Sequence, residues 1–142
     1  MIVQDKLIRA CEYGEIADVV TLLKEGADVN GIGENSDEDK RTALGAAVEN
    51  EHDEVVGYLL SVKGIDPNKT VFEGGFTPLM IAAGSNRYLN CIELLLQNVE
   101  VVKNINMTDV MGKNALEIAN QMNFGPVREL IITRISDKMI KF

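Results

Sequence analysis

His52, the only histidine in a chain of 142 residues, is the one side chain whose ordinary pKa suits acid–base work near neutral pH. A base of this kind acts on a nucleophile within hydrogen-bond reach and is itself oriented by a third group. The thiols on offer, Cys11 and Cys91, both fall inside apolar helical patterns, and neither is spaced with His52 as a zinc site requires. They read as small buried packing residues of a reducing compartment. Gly31 and Gly33 supply two glycines of a phosphate-binding loop, but no third follows and no strand-turn-helix surrounds them. Asp37 and Asp39 resemble the opening of a calcium loop, yet its fifth position would be Arg41, and the glycine and closing glutamate are missing. These residues assemble no catalytic constellation. The expectation is a non-enzymatic protein with no cofactor and no metal, in which His52 is a turn or capping residue.

Charge says more than chemistry. Residues 1–71 hold 15 acids and 7 bases, whereas residues 72–142 hold 7 of each, so the whole net charge of −8 lies in the first half. Such a field repels nucleic-acid phosphate and steers a basic partner. A hydrophobic share of 46% against 25% charged is that of a soluble globular domain. Scarce aromatics and abundant leucine, isoleucine, valine and alanine favour packed helices over a β-sandwich. No run approaches the length of a membrane span, and Asp5 and Lys6 interrupt the first segment before a signal-peptide core forms. A soluble, unexported, cytoplasmic protein without membrane contact is expected.

The elements that position these residues repeat. Leu7, Leu44, Leu79 and Leu116 stand 37, 35 and 37 residues apart. Two positions before them are Asp5, Thr42, Thr77 and Asn114, all able to cap a helix start; three positions after are Ala10, Ala47, Ala82 and Ala119, small enough for a neighbouring helix to come close. A second apolar stripe follows in each unit: Val19, Leu22 and Leu23; Val56, Leu59 and Leu60; Ile92, Leu95 and Leu96; Val127, Leu130 and Ile131. Gly26 is placed for the left-handed turn after a helix, and Asn30, Asn68 and Asn106 close successive units at a step of 38.

The stretch Thr77, Pro78, Leu79, Met80, Ile81, Ala82 and Ala83, with the ending Gly26, Ala27, Asp28, Val29 and Asn30, resembles the ankyrin repeat. The histidine usual after the leucine is Ile8, Gly45, Met80 or Glu117 here, so the family's threonine-to-histidine hydrogen bond is absent. The resemblance implies an all-α fold with short β-hairpin loops: a solenoid of four helix-turn-helix units, about 1–36, 37–72, 73–109 and 110–142, forming one domain over residues 1–142. Polar capping repeats close both ends, with Arg9 and Asn120 standing where inner units have apolar residues. Extra length relative to the usual 33-residue unit falls in the hairpin after Asn30 and in the turn holding Asn98, Val99, Glu100, Val101 and Val102. Ile131, Ile135 and Met139 extend the last helix as a cap.

The resemblance further implies that a partner protein binds the concave face made by hairpin tips and inner helices. In this sequence that face comprises Glu34, Asp37, Glu38, Asp39 and Arg41 in the first hairpin; Val71, Phe72, Glu73 and Phe76 in the second; and Val110, Met111 and Lys113 in the third. Tyr13, Asn50, Ser85 and Met122, with Glu12, Glu49, Asn86 and Gln121, continue it along the inner helices. The apolar hairpin residues are expected as contact anchors; for Phe72 and Phe76, folding back over neighbouring helix ends stays open. The partner is expected to present a basic surface to a monomeric chain that does not itself bind nucleic acid. The alternative is an acidic decoy occupying a basic, nucleic-acid-binding groove.

Overall fold

The computed structural model describes residues 2–33, 41–71, 74–85, 89–123 and 125–140. Among them nine helices run in order: α1 (Val3–Glu12), α2 (Ile16–Lys24), α3 (Ala43–Glu49), α4 (Asp53–Ser61), α5 (Pro78–Ala83), α6 (Leu89–Leu96), α7 (Val99–Lys103), α8 (Ala115–Met122) and α9 (Gly125–Ile140). The inner row stacks α1 on α3, α3 on α5 and α5 on α8; the outer row stacks α2 on α4, α4 on α6 and α6 on α9. The fold is thus the expected all-α solenoid. Its β character among the described residues is two isolated antiparallel bridges, Ile32 with Thr42 and Val71 with Phe76.

Small residues set the stacking distance. Ala10, Ala47, Ala82 and Ala119 are all buried between inner helices, alongside Leu7, Leu44 and Leu79. Polar caps start these helices where expected, with one exception. Thr42 Oγ1 accepts from the Gly45 amide at 3.0 Å, Thr77 Oγ1 from the Met80 amide at 3.2 Å, and Asn114 Oδ1 from the Glu117 amide at 2.9 Å. Asp5 does not cap: α1 begins earlier, at Val3, and Asp5 lies within its first turn, where its charge favours the positive end of the helix dipole.

The second insertion differs from the expected longer turn. Asn98 Oδ1 accepts from the amides of Glu100 and Val101 at 3.0 and 3.2 Å. That cap nucleates the short helix α7 and turns Val101 into the core.

The periodic asparagines tie unit to unit. Asn30 Nδ2 donates to the Gly64 carbonyl at 2.8 Å while its Oδ1 accepts from the Asp66 amide at 2.7 Å. Asn68 Nδ2 donates to the Glu100 carbonyl at 3.0 Å. Upstream of these, Gln4 clamps Asp28 in the same two-bonded manner, both contacts at 2.9 Å. The end units carry the expected polar replacements, since Arg9 and Asn120 are exposed, and α9 runs on past the buried Ile131 to the half-buried Ile135. Gly26 follows α2 with φ 101°, the left-handed geometry expected of it.

Candidate protein-binding face

The repeat register places four rows of side chains across the inner helices. Three residues before each register leucine come Gln4, Arg41, Phe76 and Lys113; two after it, Arg9, Ala46, Ile81 and Ile118; five after it, Glu12, Glu49, Gly84 and Gln121; six after it, Tyr13, Asn50, Ser85 and Met122. The chemistry of the face follows from reading across these rows.

Over the first two units the face is ionic. Arg41 Nη1 donates to Glu12 Oε1 at 2.5 Å, and its Nε lies 3.5 Å from Glu49 Oε2. The guanidinium lies along α3 and links it to the end of α1. Both carboxylates thus lie against the same guanidinium. Beside it the Arg9 guanidinium stands 5.9 Å from the centre of the Tyr13 ring, a cation–π distance.

Over the third unit the same rows turn apolar. Phe76 replaces the cation, and Gly84 leaves vacant the place held elsewhere by Glu12, Glu49 and Gln121. The result is an open groove of about 340 Å³ between α5 and α8, walled by Phe76, Met80, Ile81, Gly84, Met111 and Ile118. Its far rim is a second strap, Lys113 Nζ donating to Gln121 Oε1 at 3.0 Å. Asp109 Oδ1 accepts from the amides of Met111 and Lys113 at 2.8 and 3.0 Å, which bends the third hairpin so that Met111 overhangs the groove. The Val110 amide donates to the Gly74 carbonyl at 3.0 Å, joining the third hairpin to the second.

Of the residues expected on this face, Met111 is 78%, Val110 70% and Tyr13 63% exposed, Met122 and Asn50 are also exposed, and Ser85 and Lys113 are half-buried. Val71 is a correction. It is only 1% exposed, because its bridge to Phe76 turns its side chain onto Gly45, where an added Cβ would meet Val71 Cγ1 at 3.1 Å. Arg41, expected to meet a partner, is instead engaged within the Glu12–Glu49 strap. For Phe76 both readings hold in part: its ring folds over Gly74, packs on the core, and still walls the groove. Glu34, Asp37, Glu38, Asp39, Phe72, Glu73 and Asn86 lie outside the described residues. Ile81, Gly84, Ile118 and Asp109 were not anticipated. The signal for Gly84 was in the register, a glycine aligned with two glutamates and a glutamine.

His52 is structural. It precedes α4 without capping it, and its Nε2–H donates to the Glu12 carbonyl at 2.8 Å, tying the second unit to the first. Cys11 and Cys91 are buried, as expected. Burial, with Glu12 adding a like-signed push, raises the Cys11 thiol to about 12. Burial also drives Cys91 up, helped by its S–H donation to Asp53 Oδ1 at 3.1 Å and by the charges of Asp53 and Glu51. Both thiols should therefore react with maleimide at pH 7.5 far more slowly in the native protein than in denaturant. Because the folded thiols titrate above their unfolded values, their contribution to stability is complete below about pH 8.5 and is lost as pH rises towards 12. The urea midpoint should fall across that window, and less so when Cys11 is replaced by alanine.

Among the described residues, no group of three or more His, Cys, Asp or Glu side chains could hold a metal ion, and no helix is long and apolar enough to cross a membrane.

Helix pairs stacked in two rows, with a two-toned inner face, define a helical repeat scaffold. Residues 4–71 match the family model for ankyrin repeats (3 copies), and residues 74–110 match the model for a single ankyrin repeat. The chain belongs to the ankyrin repeat family. Its repeats are generally modules of protein–protein interaction and not enzymes. No curated protein matches the chain. The fourth pair, α8 and α9, lies beyond the matched residues yet continues both helix rows.

Proposed function

We propose that this chain binds a partner protein through its concave face, with the acidic first half steering approach and the groove between the third and fourth units supplying contact energy. The observation that carries this reading is the groove itself. Phe76, Ile81, Met111 and Ile118 present apolar surface to water at one place on the inner row, where the positions aligned with Phe76 hold Gln4, Arg41 and Lys113. Apolar side chains gathered at a concavity and rimmed by Lys113 and Gln121 have the composition of an interface hot spot. The excess of acids in residues 1–71, including the sequence from Glu34 to Asp39, favours a partner with a basic surface and opposes direct binding to nucleic acid. The chain works as a monomer and as one domain of four units.

Affinity capture from the native cell tests this, run side by side with the intact chain and with Met111→Asp. Met111 is too exposed for the change to unfold the protein. A specific partner retained by the intact chain should be lost from the variant. Equal retention by both removes the groove from the proposal.

A further inference from the structure

We infer that Met111 is a redox control point of the groove: peroxide oxidises its thioether to the sulfoxide, and the sulfoxide turns away the apolar side chain that the groove otherwise receives. This deepens the concave-face reading and rests on it. Of the four methionines with described side chains, Met111 is the most open to solvent, at 78% exposed against 46% for Met122. Met107 is half-buried against the core, and Met80 is 2% exposed. Met80 and Met111 both wall the groove. The groove thus holds one methionine open to an oxidant in solution and one shielded from it.

The step balances on the peroxide alone. The sulfur lone pair attacks one peroxide oxygen, the O–O bond breaks as the S–O bond forms, and the second oxygen leaves as water. Sulfur gives up two electrons, and the peroxide takes them. A flexible apolar side chain becomes a polar, chiral one. The backbone beneath it is held through the change, because Asp109 Oδ1 accepts from the amides of Met111 and Lys113 at 2.8 and 3.0 Å, bonds in which the sulfur has no part. A partner's apolar side chain entering the groove must then strip water from the sulfoxide oxygen beside Phe76, Ile81 and Ile118, which disfavours entry. The two thiols do not compete for the oxidant, since Cys11 and Cys91 are buried and burial keeps them protonated, the slow form towards peroxide. Reversal is thiol chemistry: a dithiol gives two electrons and becomes a disulfide, and the sulfoxide oxygen departs as water. Methionine sulfoxide reductases carry it out, one enzyme for each sulfoxide epimer.

Peroxide mapping and a binding probe test this on the intact chain. After timed treatment with hydrogen peroxide, peptide masses should show one added oxygen at Met111 at least about tenfold sooner than at Met80, with the thermal melt unchanged. The probe is the pool of linear peptides selected from a displayed random library on the untreated chain. Once peroxide is removed, that pool should bind the oxidised chain about tenfold more weakly, and both sulfoxide reductases with dithiothreitol should restore binding. Met111→Leu keeps an apolar side chain without sulfur, so it should retain the pool before and after peroxide. A Met111 that oxidises no sooner than Met80 overturns the inference, as does a treated Met111→Leu chain that loses the pool. A pool that Met111→Asp fails to bind and the oxidised chain binds fully overturns the inference and leaves the concave-face reading standing. A pool indifferent to both changes, or a library that yields no binder, overturns the inference together with the groove's place in that reading.

Discussion

Gly84→Gln should weaken partner binding by roughly thirtyfold while leaving the melting temperature unchanged or slightly raised. The substitution gives the third unit the residue the fourth already has at Gln121. Space for the first atom exists: a Cβ on Gly84 would meet the carbonyl oxygens of Met80 and Ile81 at 3.5 and 3.6 Å and Ile118 Cγ2 at 3.7 Å, all ordinary contacts. Gly84 has φ −78°, so a side chain introduces no backbone strain. Removing a glycine at such a position stabilises by about 0.4–1 kcal/mol through the unfolded chain. The amide then occupies the groove. A partner side chain excluded from it forfeits about 2 kcal/mol of burial, and 1.4 kcal/mol corresponds to tenfold in affinity. Calorimetric titration of the captured partner, with a thermal melt of the same sample, measures both quantities. Unaltered affinity would show that no side chain enters the groove.

How much of this was legible beforehand divides along physical lines. The fold was legible because stacking demands the same small and capping residues in every unit. Ala10, Ala47, Ala82 and Ala119 with Thr42, Thr77 and Asn114 meet that demand at one register. Local chemistry that could be satisfied in two ways was less legible. Asn98 with the apolar Val99, Val101 and Val102 suits a turn or a capped helix, and burial of Val101 decided for the helix α7. Asp5 suits a cap or a first turn, and the earlier start of α1 decided for the turn.

The site was harder to read than the scaffold, because its features depend on directions and vacancies. Val71 and Phe76 are similar as sequence, two apolar residues around a hairpin. Their antiparallel bridge sends Val71 onto Gly45 and leaves Phe76 lying across Gly74 at the groove wall. Arg41 looked like a surface cation until its length along α3 brought it to Glu12 and Glu49. Gly84 lines the groove by what it lacks, the side chain that the aligned units carry. A composition scan for exposed apolar residues passes over a glycine, whereas comparison of units within the register reveals it.

Gly14→Ala should be the most damaging single-methyl change in the first unit, costing about 2–3 kcal/mol and lowering the melting temperature by roughly 5–10 °C. Two effects add. Gly14 ends the turn after α1 with φ 71°, a conformation that costs an L-residue about 1–2 kcal/mol. The new Cβ would also lie 2.5 Å from His52 Nδ1, so the imidazole must shift and release the Glu12 carbonyl it now holds, a loss of about 1 kcal/mol. Glu51 and Asn123 stand at the equivalent turns of later units with φ 61° and 56°, so the backbone conformation alone is tolerated there without glycine. What distinguishes the first turn is the histidine packed against it. Repeating Gly14→Ala in a His52→Ala background separates the two contributions, because the clash and its hydrogen bond vanish while the backbone cost remains. The penalty should then fall by about 1 kcal/mol in urea unfolding, a coupling of the size contacting residues show. An identical penalty in both backgrounds would mean that His52 moves aside freely and does not hold the first unit to the second.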